Sequence, residues 1–355
     1  MMDNFFIKKS NIRGILGIDL HIADAYKLGN KFGQNISTVC VGYDSRIESP
    51  AMEKELIRGL SFSGANIIRI GLCSSPMLYS ATYITKACIG IMITGSHNTR
   101  GYNGFKFFSN NHAFSMQEIY KILNRPIKKC ITLGSIINMN IYSEYIRILN
   151  RALTHNTTQK LKIAWDCGNS PISAIISNLH YILPDNTNII TNNDIDGTFP
   201  LHAPNPIKNN LSQLLKIVKT HKCDLGIALD GDSDRLCIID NKANIVSNNH
   251  LFLLFACEIL ELHPGSTVIA NTKMSMKIHD FISSLQGKVI TCTNNHTIIR
   301  QKMINKEAKF AGTLKGHFFF SELNYDDGLY AAIKVINILI KKQMSLSHLI
   351  ALLQK

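Results

Sequence analysis

The apolar run at residues 224–229 ends directly in Asp230-Gly231-Asp232-Ser233-Asp234-Arg235. Three carboxylates that alternate with small residues just past a strand-like segment can converge on one point, and the pattern places them in a surface loop. Like charges held that close repel unless a cation sits between them. The segment therefore constrains the fold: a strand has to deliver the loop to a place where a hard divalent ion can enter. Mg2+ takes a few hard oxygens, keeps some water and is completed by phosphate oxygens. An EF-hand loop also starts with alternating carboxylates, but it needs Gly at its sixth position and Glu at its twelfth, where Arg235 and Asn241 stand. Two other readings stay open here: an aspartyl-phosphate hydrolase with Asp230 as nucleophile and Asp232 as acid/base, and a solvated acidic turn.

A second apolar run, residues 87–93, ends in Thr94-Gly95-Ser96-His97-Asn98. It reads as a buried strand that leaves Ser96 on a loop at its end. The spacing is not the Gly-x-Ser-x-Gly of a hydrolase nucleophile elbow. Ser96, once phosphorylated, would supply the oxygens that the carboxylate loop calls for, and the pairing of the two loops points to phosphoryl transfer. Gly101-Tyr102-Asn103-Gly104-Phe105-Lys106 reads as a flexible loop for close approach to a ligand, with one cation for a transferring phosphoryl group.

Strand-like runs at 38–42, 66–71 and 89–93 alternate with helix-like stretches such as 50–63, the pattern of a layered α/β domain. A polar stretch at 154–160 marks the first boundary. The rhythm then repeats with a strand at 161–165, helices at 171–179 and 209–219, the strand ending at Asp230, and a hairpin between 236–240 and 244–246. A third block holds a buried helix at 251–262, strands at 267–270 and 288–291, the aromatic core run 318–320, and a helix that starts at Asp326-Asp327 and ends near Lys341-Lys342. The division is 1–150, 151–249 and 250–355, with three similar α/β patterns consistent with divergent repeats of one unit.

With 45% hydrophobic and 18% charged residues the 355-residue chain is globular, and no run approaches the ~18 apolar residues of a membrane span. The start lacks a basic and apolar leader pattern, which makes cytoplasmic the default. Nine cysteines show no Cys-x-x-Cys spacing and read as reduced, mostly buried thiols. The net charge of +13 invites a nucleic-acid reading, but the Lys and Arg residues are scattered and no binding signature accompanies them. Such a charge also suits a protein that handles anionic sugar phosphates.

Taken in order, the motifs resemble those of the α-D-phosphohexomutases, the phosphomannomutase/phosphoglucomutase family. They are Ile12-Arg13-Gly14, Val41-Gly42-Tyr43-Asp44-Ser45-Arg46, Ser75-Pro76, the Ser96 loop, Tyr102 to Lys106, and Asp166-Cys167-Gly168-Asn169. Asp196-Gly197-Thr198-Phe199-Pro200, Pro204-Asn205-Pro206, the Asp230 loop, Gly316-His317-Phe318-Phe319-Phe320 and Asp326 to Ala332 complete the series.

The resemblance implies three mixed-sheet α/β domains around a cleft: a phosphoserine-loop domain, a metal-binding domain and a sugar-recognition domain. It implies interconversion of hexose 1-phosphate and hexose 6-phosphate, of mannose or glucose, through a phosphoserine enzyme and a bisphosphorylated sugar. Ser96 carries the phosphate, and Mg2+ is held by that phosphate with Asp230, Asp232 and Asp234. Glucose 1,6-bisphosphate or a similar compound serves as primer. Arg13, Arg46, Lys106 and Arg235 are the matching cations. Acid/base duty falls among Lys106, His97, His317 and Arg13, and substrate contacts fall to Arg46, Gly312, Thr313, Lys315 and His317.

The chain also departs from the family pattern. Gly312-Thr313-Leu314-Lys315-Gly316-His317 stands where the family has Gly-Glu-x-Ser-Gly/Ala-His, so a carboxylate has become a hydroxyl and a hydroxyl a cation. Thr293-Asn294-Asn295-His296 stands for Lys-Thr-Gly-His, and Ser10-Asn11 for an aromatic-acidic pair. The family continues into a fourth domain whose Arg-Ser-Gly-Thr loop grips the non-reacting phosphate, and that loop is not among these residues. The expectation is a working mutase, either weak alone or completed by a partner chain or a second copy of itself; the alternative is a truncated, weakly active or inactive relic or sugar-phosphate-binding protein.

Overall fold

The computed structural model describes residues 7–8, 11–109, 114–153, 160–178, 187–323 and 325–354. Ser10, residues 154–159 of the expected boundary and Leu179, the expected end of one helix, lie outside the described residues. Three separate mixed sheets organise the chain. Two compact units emerge. One comprises Met1–Tyr145 with Asn169–Ile172 and Asp194–Pro204, and the other holds the remaining segments.

In the first unit, seven strands run in the order Ile7–Lys8, Asn11–Ile15, Tyr102–Phe108, Ile89–Ile93, Thr38–Tyr43, Asn66–Leu72, Ile136–Asn138. The central strands Thr38–Tyr43, Asn66–Leu72 and Ile89–Ile93 are parallel, an arrangement that needs crossovers such as the helices between them. Ile89–Ile93 is buried along its whole length, which explains its unbroken apolar run. The helix Ser49–Phe62 starts one residue earlier than expected, with Pro50 in its first turn, where the missing N–H costs nothing.

Residues 101–106 differ from expectation. They are not a flexible loop: Tyr102–Phe108 is a strand, antiparallel to both Ile89–Ile93 and Asn11–Ile15. Gly104 serves that pairing. A Cβ there would run into the carbonyl of Ile12 and lie 2.9 Å from the Cα of Arg13. The glycine is spent on strand packing, which no local reading of the segment shows.

The second unit holds two sheets. In one, Leu225–Leu229 lies parallel to Lys162–Asp166 and antiparallel to Leu236–Asp240, which turns into Ile245–Val246 as the expected hairpin. The helix expected at 171–179 is the short Ser173–Ile176, and the next runs Ser212–His221. In the other sheet Thr267–Asn271 is central, flanked by Lys288–Cys292 and Phe310–Gly312, with Phe318–Phe320 at the end. Phe318, Phe319 and Phe320 are buried; the rings of Phe255 and Phe310 pack on Phe318 and Phe320, Phe252 backs Phe310, and Phe319 meets the His296 ring instead. Asp327 caps Gly328–Lys342 by accepting the Tyr330 N–H at 2.9 Å, and Lys341 and Lys342 sit in the last turn. All nine cysteines are free thiols, six of them buried. Among the described residues, no helix is long and apolar enough to cross a membrane.

Candidate active site

Both chemistry-bearing loops leave the C-terminal ends of parallel strands, where open α/β sheets present ligand sites. In the first unit, Thr94 to Asn98 follows Ile89–Ile93. Ser96 is only 2% exposed and has a left-handed backbone, φ 50°. Such a conformation costs a non-glycine residue roughly 1–3 kcal/mol and persists only where the surroundings enforce it. Here they do. Asp44, buried at the end of Thr38–Tyr43, accepts from the Thr94 hydroxyl at 2.7 Å and the Gly95 N–H at 3.2 Å, and the Thr94 oxygen accepts the Ser96 N–H at 2.7 Å. Ser96 Oγ lies 3.2 Å from His97 Nδ1.

Arg46 completes the frame, and its job differs from the expected substrate contact. Nε donates to Asp44 at 3.1 Å, Nη1 to the carbonyls of Thr99 and Tyr102 at 2.9 and 2.8 Å, and Nη2 to those of Ser96 and Asn98 at 2.8 and 2.6 Å. A guanidinium has five N–H donors. All five are spent on the loop and its aspartate, so Arg46 holds the serine loop and has no donor left for a sugar phosphate. Arg13 and Lys106 fall on one face of adjacent strands, Arg13 opposite Gly104 and Lys106 two residues on. Arg13 Nη1 donates to the Asn98 side chain at 3.4 Å, so Arg13 reaches the serine loop in this unit.

In the second unit, Leu225–Leu229 delivers Asp230, Asp232 and Asp234. The expectation of a surface loop is corrected: all three are 0% exposed. One oxygen from each lies within 4.8 Å of the others. Ser233 takes a left-handed φ of 63°, and its carbonyl accepts the Gly328 N–H at 3.0 Å, which closes the loop under the helix Gly328–Lys342. Arg235 backs the cluster, its N–H 3.1 Å from Asp230 Oδ1 and its Nε 3.7 Å from Asp230 Oδ2. Three buried carboxylates this close are costly as a set of charges, and a divalent cation among them is the chemistry that relieves the cost. The residues present fit such an ion.

Beside the carboxylates lies a histidine pair. His317 Nε2 accepts from Arg235 Nε at 3.0 Å, so the proton of its neutral form is on Nδ1, which faces Asp326 at 2.8 Å and Asp234 at 3.5 Å. His296 Nδ1 meets the same Asp326 oxygen at 3.0 Å, and the two rings stand edge to face at 4.0 Å. Sequence reasoning gave His296 and Asp326 no site role. The one signal was the alignment of Thr293 to His296 with the family's Lys-Thr-Gly-His. Burial, then the adjacent His296, push the His317 imidazolium down to about 4, against the pull of Asp234 and Asp326. Asp326 is held well below the carboxylate range by its two histidines in spite of its burial.

A pH dependence follows. Between 6.5 and about 4, the unfolded chain binds a proton at His317 that the folded chain refuses. Its neutral state stabilises the fold fully above 6.5, and the contribution, roughly 2–3 kcal/mol, is lost as pH falls toward 4. Asp326 acts in the same direction below its ordinary 3.8. Urea unfolding in a chelator should show this slope, and His317→Gln should flatten it between pH 6.5 and 4; an unchanged slope would place the titrating group elsewhere.

Two further expectations are corrected on the loop before His317. Gly312 ends the strand Phe310–Gly312, and a Cβ there would lie 2.6 Å from the Phe252 ring, so it packs the core instead of meeting substrate. Thr313 is buried, and its hydroxyl oxygen accepts the N–H groups of Lys315 and His317, both at 3.3 Å, which makes it a brace of the turn. Lys315 is exposed at the tip of the same turn.

Three models of phosphoglucomutase/phosphomannomutase α/β/α domains match nearly the whole chain: domain I over residues 6–129, domain II over 140–243 and domain III over 247–355. The chain belongs to this family. It is 34% identical over 339 residues to the phosphomannomutase/phosphoglucomutase of Pseudomonas syringae pv. tomato, covering 93% of this chain and 72% of that protein. It is 32% identical over 345 residues to a phosphoglucomutase of Neisseria meningitidis serogroup A, covering 94% and 74%. A solved phosphoglucomutase/phosphomannomutase family protein from Burkholderia thailandensis superimposes with a TM-score of 0.89 at 27% identity, over 96% of this chain and 78% of that one. The mutase family thus accounts for all three sheets. This chain supplies a serine loop and an acidic loop, each at a strand end and each inside a unit of its own.

Proposed function

We propose that this phosphohexomutase interconverts hexose 1-phosphates and hexose 6-phosphates, with Ser96 as the carrier of the phosphoryl group. The observation that carries the reading is the serine loop. Ser96 is held in a left-handed backbone by bonds to its own N–H and carbonyl, and its hydroxyl oxygen lies 3.2 Å from His97 Nδ1. In the forward half-reaction a sugar hydroxyl oxygen bonds to the phosphorus as the bond to Ser96 Oγ breaks. The proton leaves the sugar oxygen for a base, and the departing Ser96 Oγ takes a proton from His97 acting as acid. In the return half, Ser96 Oγ bonds to the phosphorus of the other phosphate and the sugar oxygen leaves.

His97 is the base assigned to the Ser96 proton, at 3.2 Å. Arg13 and Lys106, on the face beside it, stabilise charge on the transferring group. Asp230, Asp232 and Asp234 would hold Mg2+, whose preference for carboxylate and phosphate oxygens suits this donor set. When bound, the ion supplies neutralisation of phosphoryl oxygens. Arg235 and His317 orient that loop, and in this reading Lys315, exposed on the turn before His317, meets an anionic part of the substrate. The assignments divide as 1–150 for phosphate carriage, 151–249 for the cation and 250–355 for the sugar.

The test is conversion of glucose 1-phosphate and mannose 1-phosphate to their 6-phosphates by purified protein with Mg2+ and glucose 1,6-bisphosphate. Formation of either 6-phosphate, dependent on the bisphosphate, is expected. Absence of product together with an unmodified Ser96 by peptide mass spectrometry would overturn the reading.

A further inference from the structure

Asp194–Pro204 follows the domain I match by more than sixty residues and lies within the domain II match, yet it packs in the first unit. Its anchor is Asn169, whose Nδ2 donates to the Asp194 carbonyl at 2.9 Å and whose own carbonyl accepts the Asp196 N–H at 3.3 Å. From there the segment reaches Arg46 in two ways. Gly197 lies so close that a Cβ would stand 2.7 Å from both the Cα of Arg46 and the N of Ile47. The Phe199 ring, itself nearly buried, lies 5.1 Å from the Arg46 guanidinium carbon, on the face that makes no hydrogen bond. A cation over an aromatic face is attracted and fixed in plane. That plane decides where all five N–H groups point.

We propose that the Asp196-Gly197-Thr198-Phe199 strap is a positioning element for the phosphate-carrying serine, acting through Arg46. The chain of contact is unbroken: Phe199 and Gly197 fix Arg46, Arg46 fixes the carbonyls of Ser96, Asn98, Thr99 and Tyr102, and these hold the left-handed turn at Ser96. Gly95 records the same tight fit from the loop side, since a Cβ there would overlap the guanidinium. Phe199 pays with a left-handed φ of 51°, held by its N–H to the Asp196 carbonyl at 3.2 Å and the Thr198 N–H to the Asp196 carboxylate at 2.8 Å. The strap therefore has its own enforced geometry, as a part that locks another would need. Its role in catalysis rests on the reading of Ser96 as phosphate carrier; its role in holding the loop does not.

The experiment separates the two. Hydrogen exchange of a peptide spanning residues 94–99 reports the loop, and the rate of Ser96 labelling from glucose 1,6-bisphosphate with Mg2+ reports carriage. Phe199→Ala should speed exchange of that peptide at least tenfold and slow labelling at least tenfold, with exchange in the second unit unchanged. Phe199→Tyr, which keeps the aromatic face, should restore both. Should Phe199→Ala fail to fold, Gly197→Ala, which pushes on Arg46 directly, should give the same pair of changes. Loosened exchange with no labelling even in the wild type would sink the carrier reading and leave the strap standing. Wild-type exchange in folded Phe199→Ala, or equal loss in Phe199→Ala and Phe199→Tyr, would overturn the strap.

Discussion

Ser96→Ala should fold like the wild type, carry no phosphate after incubation with glucose 1,6-bisphosphate and Mg2+, and lose mutase turnover by at least ~10³-fold, the scale seen when a nucleophile is removed. The first part follows from where the loop gets its shape. The backbone N–H of Ser96 is held by Thr94 and its carbonyl by Arg46, while the side-chain oxygen lies 3.2 Å from His97 Nδ1. Removing the oxygen leaves the frame intact. Ser96→Gly should be slightly more stable than Ser96→Ala, because glycine adopts φ 50° without strain. Intact-mass spectrometry reads the phosphate, thermal melting the stabilities, and the bisphosphate-primed mutase assay the turnover. A phosphate retained on Ser96→Ala would move the carrier to another residue, and a collapse of its melting temperature would show that the hydroxyl itself holds the loop.

Asp232→Asn carries the second large effect, of opposite sign in two conditions. In a chelator the variant should be the more stable protein, by on the order of 1 kcal/mol or more, since one of three buried like charges is gone and the amide keeps the shape. With Mg2+ the order should reverse. The wild type gains stability with the logarithm of ion concentration once the site saturates, whereas the variant, short of one hard anionic ligand, should bind the ion at least tenfold more weakly by calorimetry. The burial of the triad makes both effects larger than a solvent-exposed acidic turn would give, because less water screens the charges. If millimolar Mg2+ leaves the wild-type melting temperature where the chelator puts it, the cluster is not a cation site.

How much of this was legible depended on the range of the interaction. The strands Ile89–Ile93 and Leu225–Leu229 could be read directly, since an unbroken apolar run bounded by turn residues reports a strand buried on both faces. The ends of those strands located both loops, and the residue types in them, a serine beside a histidine and three alternating aspartates, stated the chemistry. Asp327 as the helix cap and the Leu236–Val246 hairpin were equally local. The motif order identified the family, and with it the three sheets.

The tertiary structure decided everything that depends on partners distant in the chain. Tyr102–Phe108 looked like a loop because Tyr-Asn-Gly is turn-like by itself; its pairing with Asn11–Ile15, some ninety residues earlier, makes it a strand and consumes Gly104. Arg46 carried a charge that the family resemblance assigned to substrate, and only the fold shows five carbonyl and carboxylate oxygens closing around it, four of them on residues 96–102. Asp230, Asp232 and Asp234 are buried because the helix Gly328–Lys342 comes back over their loop. His296 and His317, on separate elements, meet across Asp326. Sequence fixes what a residue can donate, accept or bury, through its side chain and its immediate neighbours. Which donors meet which acceptors is settled by the folded topology, because that alone brings residues fifty or more positions apart to hydrogen-bonding distance.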